Sequence, residues 1–525
     1  MRESLDSMSS DLIETEVIII GAGPTGLATA NYLGLFGIQV ILVERNNSTV
    51  AEPRAVSIDD ESLRSMQTLG ISDQLVYRTL PGYGARYYTP GQREFARIKP
   101  TTLEYGHPRR SAFHQPELEA ELLKGLSRFP NVKLLFQHSF CGLEQDSNKV
   151  YVTLSDPNGI SIKICAAFLA GCDGGRSSVR QAIGARLTGS SFEERWLVLD
   201  TVNDQDPTPD SVAYCDHRRP AITLPGFGRT RRWEFLVYPG EDANQFLQET
   251  TIQNLLRPYI GDRSVEVVRK LVYTFQARVA DKWHEGRVFL LGDSAHLTPP
   301  YAGQGLNSGQ RDAANFAWKV AGVIRDKFTI SLMDTYQRER RDHAWALIKM
   351  AIQIGWVMVP RNWIHTYGQA AFFKLAGLIP KFRDYIMGLK FKPVPRFRDG
   401  FLCPDEFSGK NTLVGKMLPQ PMVQSIDGRR IGLDELLGPG FALLLVAPET
   451  KDGIPKSVLD NFSWLEPSEV TLSRDDAGHL AFRPYWGKIL LVRPDRYVAA
   501  AFDPNAIDSQ ARILAILSSY SFLRN

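Results

Sequence analysis

Cysteine is scarce and stands singly. The 525 residues hold five, Cys141, Cys165, Cys172, Cys215 and Cys403, with no CxxC and no zinc-ligand spacing. That excludes a disulfide framework and a structural zinc site, no metal is expected, and the pattern suits a reducing compartment. Long apolar runs are missing too. The most apolar late stretch, ALIKMAIQIGWVMVPRNW, is broken by Lys349, Gln353 and Arg361, so a buried helix is expected there and no membrane contact. The opening MRESLDSMSSDLIETE is polar and acidic, unlike a secretory signal, and a cytoplasmic protein is expected.

An excess of either charge is also lacking: 61 Lys and Arg face 58 Asp and Glu, for a net +3. The short basic clusters RTRR (229–232) and RERR (338–341) read as solvated faces, and no nucleic-acid partner is expected. Core-forming material is plentiful, with 43% hydrophobic and 10% aromatic residues. The length suggests three to four domains at roughly 150 residues each.

Glycine marks the informative places. The apolar strand EVIII (16–20) runs into GAGPTG, a helix follows over 24–36, and the strand QVILV (39–43) ends at Glu44. In such a βαβ unit Gly21 permits the tight turn, Gly23 lets the backbone approach a pyrophosphate, and Gly26 allows close helix–strand packing. The helix N-terminus offers free N–H groups, and the acid at the end of the second strand binds ribose hydroxyls. A dinucleotide is expected here. Two more glycine–acid turns follow apolar strands, CDGGRSSVR (172–180) and GDSAHLTPPYAGQGLNSGQRDA (292–313). Three such turns suit a longer ligand that is held permanently.

Elsewhere short strands recur from 132 to 166, with DPNG (156–159) as a hairpin turn. RRWEFLVYPG puts Trp233, Phe235 and Val237 on one face of a strand and Arg232, Glu234 and Tyr238 on the other. A helix is expected over 304–325 and mainly helical chain over 333–390. After KPVPRFRDG (392–400) come strands and a last helix at 504–519, so a domain boundary is placed near 400.

With GAGPTG, CDGGRSSVR and GDSAHLTPPYAGQGLNSGQRDAANFAWKVA in that order, the chain resembles the single-component FAD-dependent aromatic hydroxylases of the para-hydroxybenzoate hydroxylase fold. Within that family it is most similar to the 3-(3-hydroxyphenyl)propionate hydroxylases, through PRAVSIDDESLR (53–64), PRRSAFHQPELEA (108–120) and DTYQRERRDHA (334–344) as well. The resemblance implies an α/β fold: a Rossmann-like FAD-binding domain (12–190 and 270–345) with an interleaved β-sheet substrate domain (80–110 and 190–275). A helical segment (346–400) and a thioredoxin-like domain without CxxC (401–525) complete it.

It also implies site residues. Gly21, Gly23, Pro24, Thr25, Gly26, Glu44 and Arg45 hold the nucleotide half of FAD, Arg54 lies near the flavin or the pyrophosphate, and Gln115 reaches FAD from its helix. Asp173 and Arg180 serve both FAD and a passing NADH or NADPH. Gly292 and Asp293 meet the ribityl chain. Pro300, Gly303, Gln304, Gly305 and Asn307 run beneath the isoalloxazine ring. The implied reaction hydroxylates a small aromatic substrate, a phenol, with NAD(P)H and O2 by way of a C4a-hydroperoxyflavin. Tyr238, Tyr301 and His114 are candidates for handling the phenol proton, and Arg219 and Arg232 for a substrate carboxylate. His296 is expected to pack against its loop. A larger natural-product phenol, or a flavin reductase without oxygen transfer, stays open, as does a homodimer.

Overall fold

Residues 17–20 show no polar alternation because their strand has no wet face. β1 (Ile13–Ile20) lies at the centre of a parallel sheet, flanked by β2 (Val40–Glu44) and β3 (Ser161–Gly171). The computed structural model describes residues 12–425, 427–449 and 453–521. It orders this sheet as Val288–Leu290, β3, β1, β2 and Val132–Phe136, every pair parallel. The expected hairpin is present as Val150–Ser155 paired antiparallel with β3, its turn closed by the Asp156 carboxylate accepting from the Asn158 and Ile160 N–H groups.

α1 (Pro24–Leu35) crosses from β1 to β2, and α2 (Asp60–Thr68), α3 (Gln115–Gly125) and α4 (Gly305–Ile324) join it in the same layer. α1 and α4 approach so closely that a Cβ on Gly309 would lie 2.2 Å from Thr25 Oγ1. Only glycine fits at that crossing.

The second sheet is built on β4 (Leu187–Val202), β5 (Ala221–Pro225), β6 (Arg231–Val237) and β7 (Glu266–Ala280). Its order is His296–Leu297, β7, β4, β6, β5, Ser211–Tyr214, Ala85–Tyr88 and Glu94–Ile98. β4 and β7 run continuously through positions 190 and 275, so the two sheets are joined by long strands rather than by linkers. β6 is buried on both faces. Trp233, Phe235 and Val237 pack with Ile252 and Leu256 of the helix Glu249–Ile260, while Leu236 joins Trp196, Ile222 and Phe275 on the opposite face.

α5 (Asp334–Met358), α6 (Trp363–Ala376) and α7 (Pro380–Met387) follow. The apolar stretch read as a buried helix is the C-terminal part of α5, with Leu347, Ile348, Ala351 and Gly355 buried, and it stops before Pro360. Among the described residues no helix is long and apolar enough to cross a membrane.

Beyond 400, β8 (Ala442–Val446), β9 (Ser468–Leu472), β10 (Ile489–Val492) and β11 (Val498–Phe502) form a sheet of order β9-β8-β10-β11, with β8 and β9 parallel and the other pairs antiparallel. α8 (Ile507–Leu517) covers one face. That face shares an apolar cluster with Trp318 of α4 and Phe328. Buried ion pairs reinforce the joint: Arg493 and Lys319 both reach Glu339 at 2.7 Å.

Candidate active site

Because β1, β3 and Val288–Leu290 are parallel neighbours, their carboxyl ends coincide, and the three glycine–acid turns meet at one edge. The Cys172 N–H donates to the Ile20 carbonyl at 2.8 Å and the Leu291 N–H to the Gly171 carbonyl at 3.0 Å. A Cβ on Gly21 would lie 2.5 Å from the Cys172 carbonyl oxygen, and one on Gly26 only 1.9 Å from the Gly21 oxygen. Arg180 ties the second turn to the third, donating to the Ser294 carbonyl at 3.0 Å and to the Gly175 carbonyl at 2.8 Å.

Around this edge several groups lack protein partners in the way a ligand site requires. A Cβ on Gly23, at the start of α1, would meet open space, and no side chain caps that helix. The N-terminus therefore offers N–H groups and positive potential to an anion. Glu44 accepts from the Ala22 N–H at 2.9 Å and from the Asn46 N–H, so its carboxylate stays beside the glycine turn. Asp173 accepts from the Ser178 and Val179 N–H groups through one oxygen; the other is buried without a hydrogen bond, and burial raises its pKa.

Asp293 is open to solvent, with protein close enough around it to desolvate its carboxyl. Burial raises its pKa against the charges of His296 and Arg54. A Cβ on Gly305 would lie 3.9 Å from Asp293 Oδ1, which puts the carboxylate beside the uncapped start of α4. An anion-binding helix end, a ribose-type acceptor and a second exposed acid along one edge fit an extended dinucleotide. FAD fits these residues.

The remaining expected cofactor residues shape the cleft. Asn307 donates to the Gly303 carbonyl at 2.6 Å and the Ser57 carbonyl at 3.2 Å, and accepts from the Asp59 N–H at 3.1 Å. It clamps the glycine loop, with Gly303 left-handed at φ 62°, to the segment before α2. Gln115 accepts from the Ala55 N–H at 2.6 Å and donates to Glu119 at 2.7 Å, so it positions the residue after Arg54. Gln310 donates to the Pro24 carbonyl at 3.1 Å. Gln304 precedes α4 and is buried, Pro300 is exposed in the turn Pro300–Ala302, and Arg45 and Arg54 are exposed. His296 is buried, with Nε2 2.7 Å from Asp312 Oδ2. Although burial works the other way, His296 and Arg340 hold Asp312 at about 2.

Asp59, Asp60 and Glu61 bring three carboxylates together in the geometry of a cation site. Arg311 pairs with Asp59 and Glu61, and Lys392 reaches Glu61 at 2.7 Å and Asp59 at 3.0 Å. Two side-chain cations therefore already neutralise Asp59 and Glu61, and Arg109 lies 3.9 Å from Asp60.

Above the cleft stands the second sheet. Tyr301, in the Pro300–Ala302 turn, meets Trp196 and Phe275 edge-on, with centroids 5.9 and 5.5 Å away. Tyr273 lies on the same face, and the Asp293 charge contributes to the upward shift of its pKa after burial. These rings pack together as an aromatic cluster against the turn that precedes the glycine loop. Sequence reasoning missed Trp196, Tyr273 and Phe275. Their only signal was alternation along two strands, which does not say which face meets a site.

The three candidate proton carriers do not come together. Tyr301 and Tyr238 share this apolar cluster, and the Tyr238 hydroxyl donates to the His217 carbonyl at 3.0 Å. His114 instead precedes α3, beside a small cavity lined by Ile58, Leu63, Leu75 and Phe113. Both expected carboxylate readers are bound to protein acids. Arg219 pairs with Glu241 at 2.6 Å and donates to the Leu236 carbonyl. Arg232 pairs with Asp200 at 2.7 Å and donates to the Arg54 and Pro53 carbonyls at 2.6 and 2.5 Å. Arg269 adds a bond to the Pro53 carbonyl at 2.7 Å and one to Asp200 at 2.9 Å. In this arrangement Arg232, Arg269 and Asp200 fasten the 53–54 loop to the sheet, and neither Arg219 nor Arg232 is offered to a substrate.

Comparison with known proteins agrees with this layout. The family described as FAD binding domain matches residues 14–351, and the HcaD C-terminal domain matches 415–479. The chain is 37% identical over 522 residues to the 3-(3-hydroxy-phenyl)propionate/3-hydroxycinnamic acid hydroxylase of Klebsiella pneumoniae, covering 95% of this chain and 94% of that one. It is 37% identical to the Burkholderia cenocepacia enzyme of the same name, over 93% and 94% of the two chains. Among solved structures it is similar to the flavin-dependent monooxygenase PieE in complex with FAD and substrate, with a TM-score of 0.82 at 22% identity over 97% of this chain and 99% of that one. Aklavinone-11 hydroxylase with FAD and aklavinone gives 0.79 at 22% identity, over 96% and 98%. At that identity the likeness is one of fold.

Proposed function

The chain belongs to the FAD binding domain family as an FAD-dependent aromatic hydroxylase, and we propose that its substrate is a phenol with a short carboxylic side chain, of the 3-(3-hydroxyphenyl)propionate type. When bound, FAD supplies the transfer of electrons from NAD(P)H and the activation of O2. The chain's own residues bind, orient and exclude water. In this reading α1 and Gly23 receive the pyrophosphate, Glu44 the ribose, and Asp293 the ribityl hydroxyls. The start of α4 presents its positive end to the negative charge of reduced flavin. The 53–54 loop, fastened by Arg232 and Arg269, carries Arg54 over the same cleft.

One observation carries the reading: an aromatic cluster of Trp196, Phe275 and Tyr301 packs on the turn that precedes the 303–305 loop. A flat apolar ring packs against the accessible edge of such a cluster, where Tyr301 and Tyr273 are not buried, and exclusion of water protects a reactive oxygen species long enough to meet it. The reading extends to a homodimer in the cytoplasm. It also includes a thioredoxin-like C-terminal domain, supported by the strand order β9-β8-β10-β11 and the terminal helix α8.

The test uses purified holoenzyme with NADH, O2 and 3-(3-hydroxyphenyl)propionate, recording NADH loss, peroxide and product mass together. NADH loss matched by a product one oxygen heavier is expected. NADH loss that yields only peroxide from this acid and from 3-hydroxycinnamate would overturn the substrate assignment.

A further inference from the structure

Glu234 is a buried acid on the side of β6 that faces the aromatic cluster, and its carboxylate has no protein partner among the described residues. It points to the same face as Leu236 and Arg232, two residues away on either side. Leu236 pairs with Trp196, whose ring touches Tyr301, and Arg232 holds the 53–54 loop. Glu234 therefore sits between the turn beneath the flavin position and the loop that bears Arg54, about 7 Å along the strand from each neighbour on its face. Its cross-strand partners are Val198 on β4 and Ile222 on β5, both apolar.

The residue is 6% exposed and its carboxylate makes no hydrogen bond among the described residues, yet its oxygens are not sealed in packing. The charged groups facing it are Arg232 on its own strand, which is occupied by Asp200, and Asp200 on β4, which is shared with Arg269 on β7. A buried carboxyl without a protein partner is costly unless a ligand or water completes it.

We infer that Glu234 accepts the proton of the substrate phenol. The inference rests on the hydroxylase reading above. In this step the phenol O–H bond breaks and its proton passes to a Glu234 carboxylate oxygen. The electron pair stays on the phenol oxygen, which enriches the ring carbons ortho and para to it for attack by an electrophilic oxygen. The proton then leaves Glu234 for solvent when the site reopens. Burial, opposed by the Arg232 charge, pushes the Glu234 carboxyl up to about 7. A base poised there is partly ionised at neutral pH and stronger than a surface carboxylate.

The test compares the wild-type holoenzyme with Glu234→Gln and Glu234→Asp, using 3-(3-hydroxyphenyl)propionate and NADH, with FAD content and melting temperature as fold controls. Hydroxylated product is expected to fall roughly a hundredfold in Glu234→Gln, with peroxide in its place, and to recover partly in Glu234→Asp. Wild-type product yield should rise with pH through about 7. In the Gln variant that rise should move toward the phenol's own ionisation near pH 10, a shift that a merely structural residue would not produce. A Gln variant matching an active wild type in yield and pH profile would overturn the inference alone. If neither variant holds FAD, ultraviolet titration of the phenol bound to oxidised wild type decides. Phenolate absorbance well below the free pKa supports the inference, and ionisation like that of free phenol overturns it. A wild type that hydroxylates no phenol would sink the functional reading and this inference together.

Discussion

Arg64 and Asp434, 370 positions apart in the chain, form a two-pronged buried ion pair: Nε donates to Oδ2 at 2.7 Å and Nη2 to Oδ1 at 2.6 Å, with side chains 1% and 3% exposed. Arg64 belongs to α2 of the dinucleotide layer, and Asp434 to the short helix Leu433–Leu437 beyond position 400. The pair stitches the C-terminal unit to the catalytic body.

Removing one partner leaves a buried charge uncompensated. Asp434→Ala, which also strips buried Arg496 of its partner at 3.2 Å, should lower the unfolding free energy by about 3–5 kcal/mol. Denaturant titration of the holoenzyme checks this. Cutting the chain after residue 400 strips partners from both Arg64 and Glu339, so the fragment should be insoluble. A soluble, FAD-loaded fragment would show that the two units are independent.

Two glycines of one motif should fail differently. At Gly26 a Cβ would strike the Gly21 carbonyl oxygen at 1.9 Å, backbone against backbone, so Gly26→Ala should cost more than about 3 kcal/mol and prevent folding. At Gly23 the space is open and φ is −76°, so Gly23→Ala should melt like the wild type without cofactor. Its FAD affinity should fall by about tenfold or more, because the new methyl occupies the path of the pyrophosphate. Melting of the apoprotein and FAD fluorescence titration separate the two effects.

The Asp293 carboxylate has no hydrogen bond among the described residues to lose, so its substitution should touch the cofactor and little else. A hydrogen bond to a charged group contributes about 1.5–3 kcal/mol, so Asp293→Ala should weaken FAD binding by about ten- to a hundredfold. A variant that stays fully yellow after gel filtration would remove Asp293 from the flavin site.

Acid should loosen the joint between the C-terminal unit and the rest of the chain. Burial would raise the Glu339 carboxyl, but Arg493 and Lys319 outweigh it and hold the group at about 2, against an ordinary value of 4.5. The folded pKa is depressed, so this stabilisation is complete above pH 4.5 and is lost as pH falls toward 2. The loss amounts to about 3 kcal/mol. Glu339→Gln should flatten that limb of the stability–pH curve; an unchanged acid limb would place the sensitive group elsewhere.

What the sequence determined by itself is local: the GAGPTG turn, the helix after it, the acid at Glu44 and the two further glycine–acid turns follow from backbone conformations that few residues adopt. Strand alternation likewise announced β6 and its two faces. Partnership was left to the tertiary structure. Arg232 reads equally well as a substrate anchor or as a clamp until Asp200, 32 positions earlier, is seen to face it. That the amides of Asn307 and Gln115 also hold loops is equally invisible in the sequence. Trp196 and Phe275 become one aromatic cluster with Tyr301 only when β4 and β7 pair beside the Pro300–Ala302 turn. Hydrogen-bond valence is satisfied by whatever lies nearby in space, and chain spacing carries no record of that.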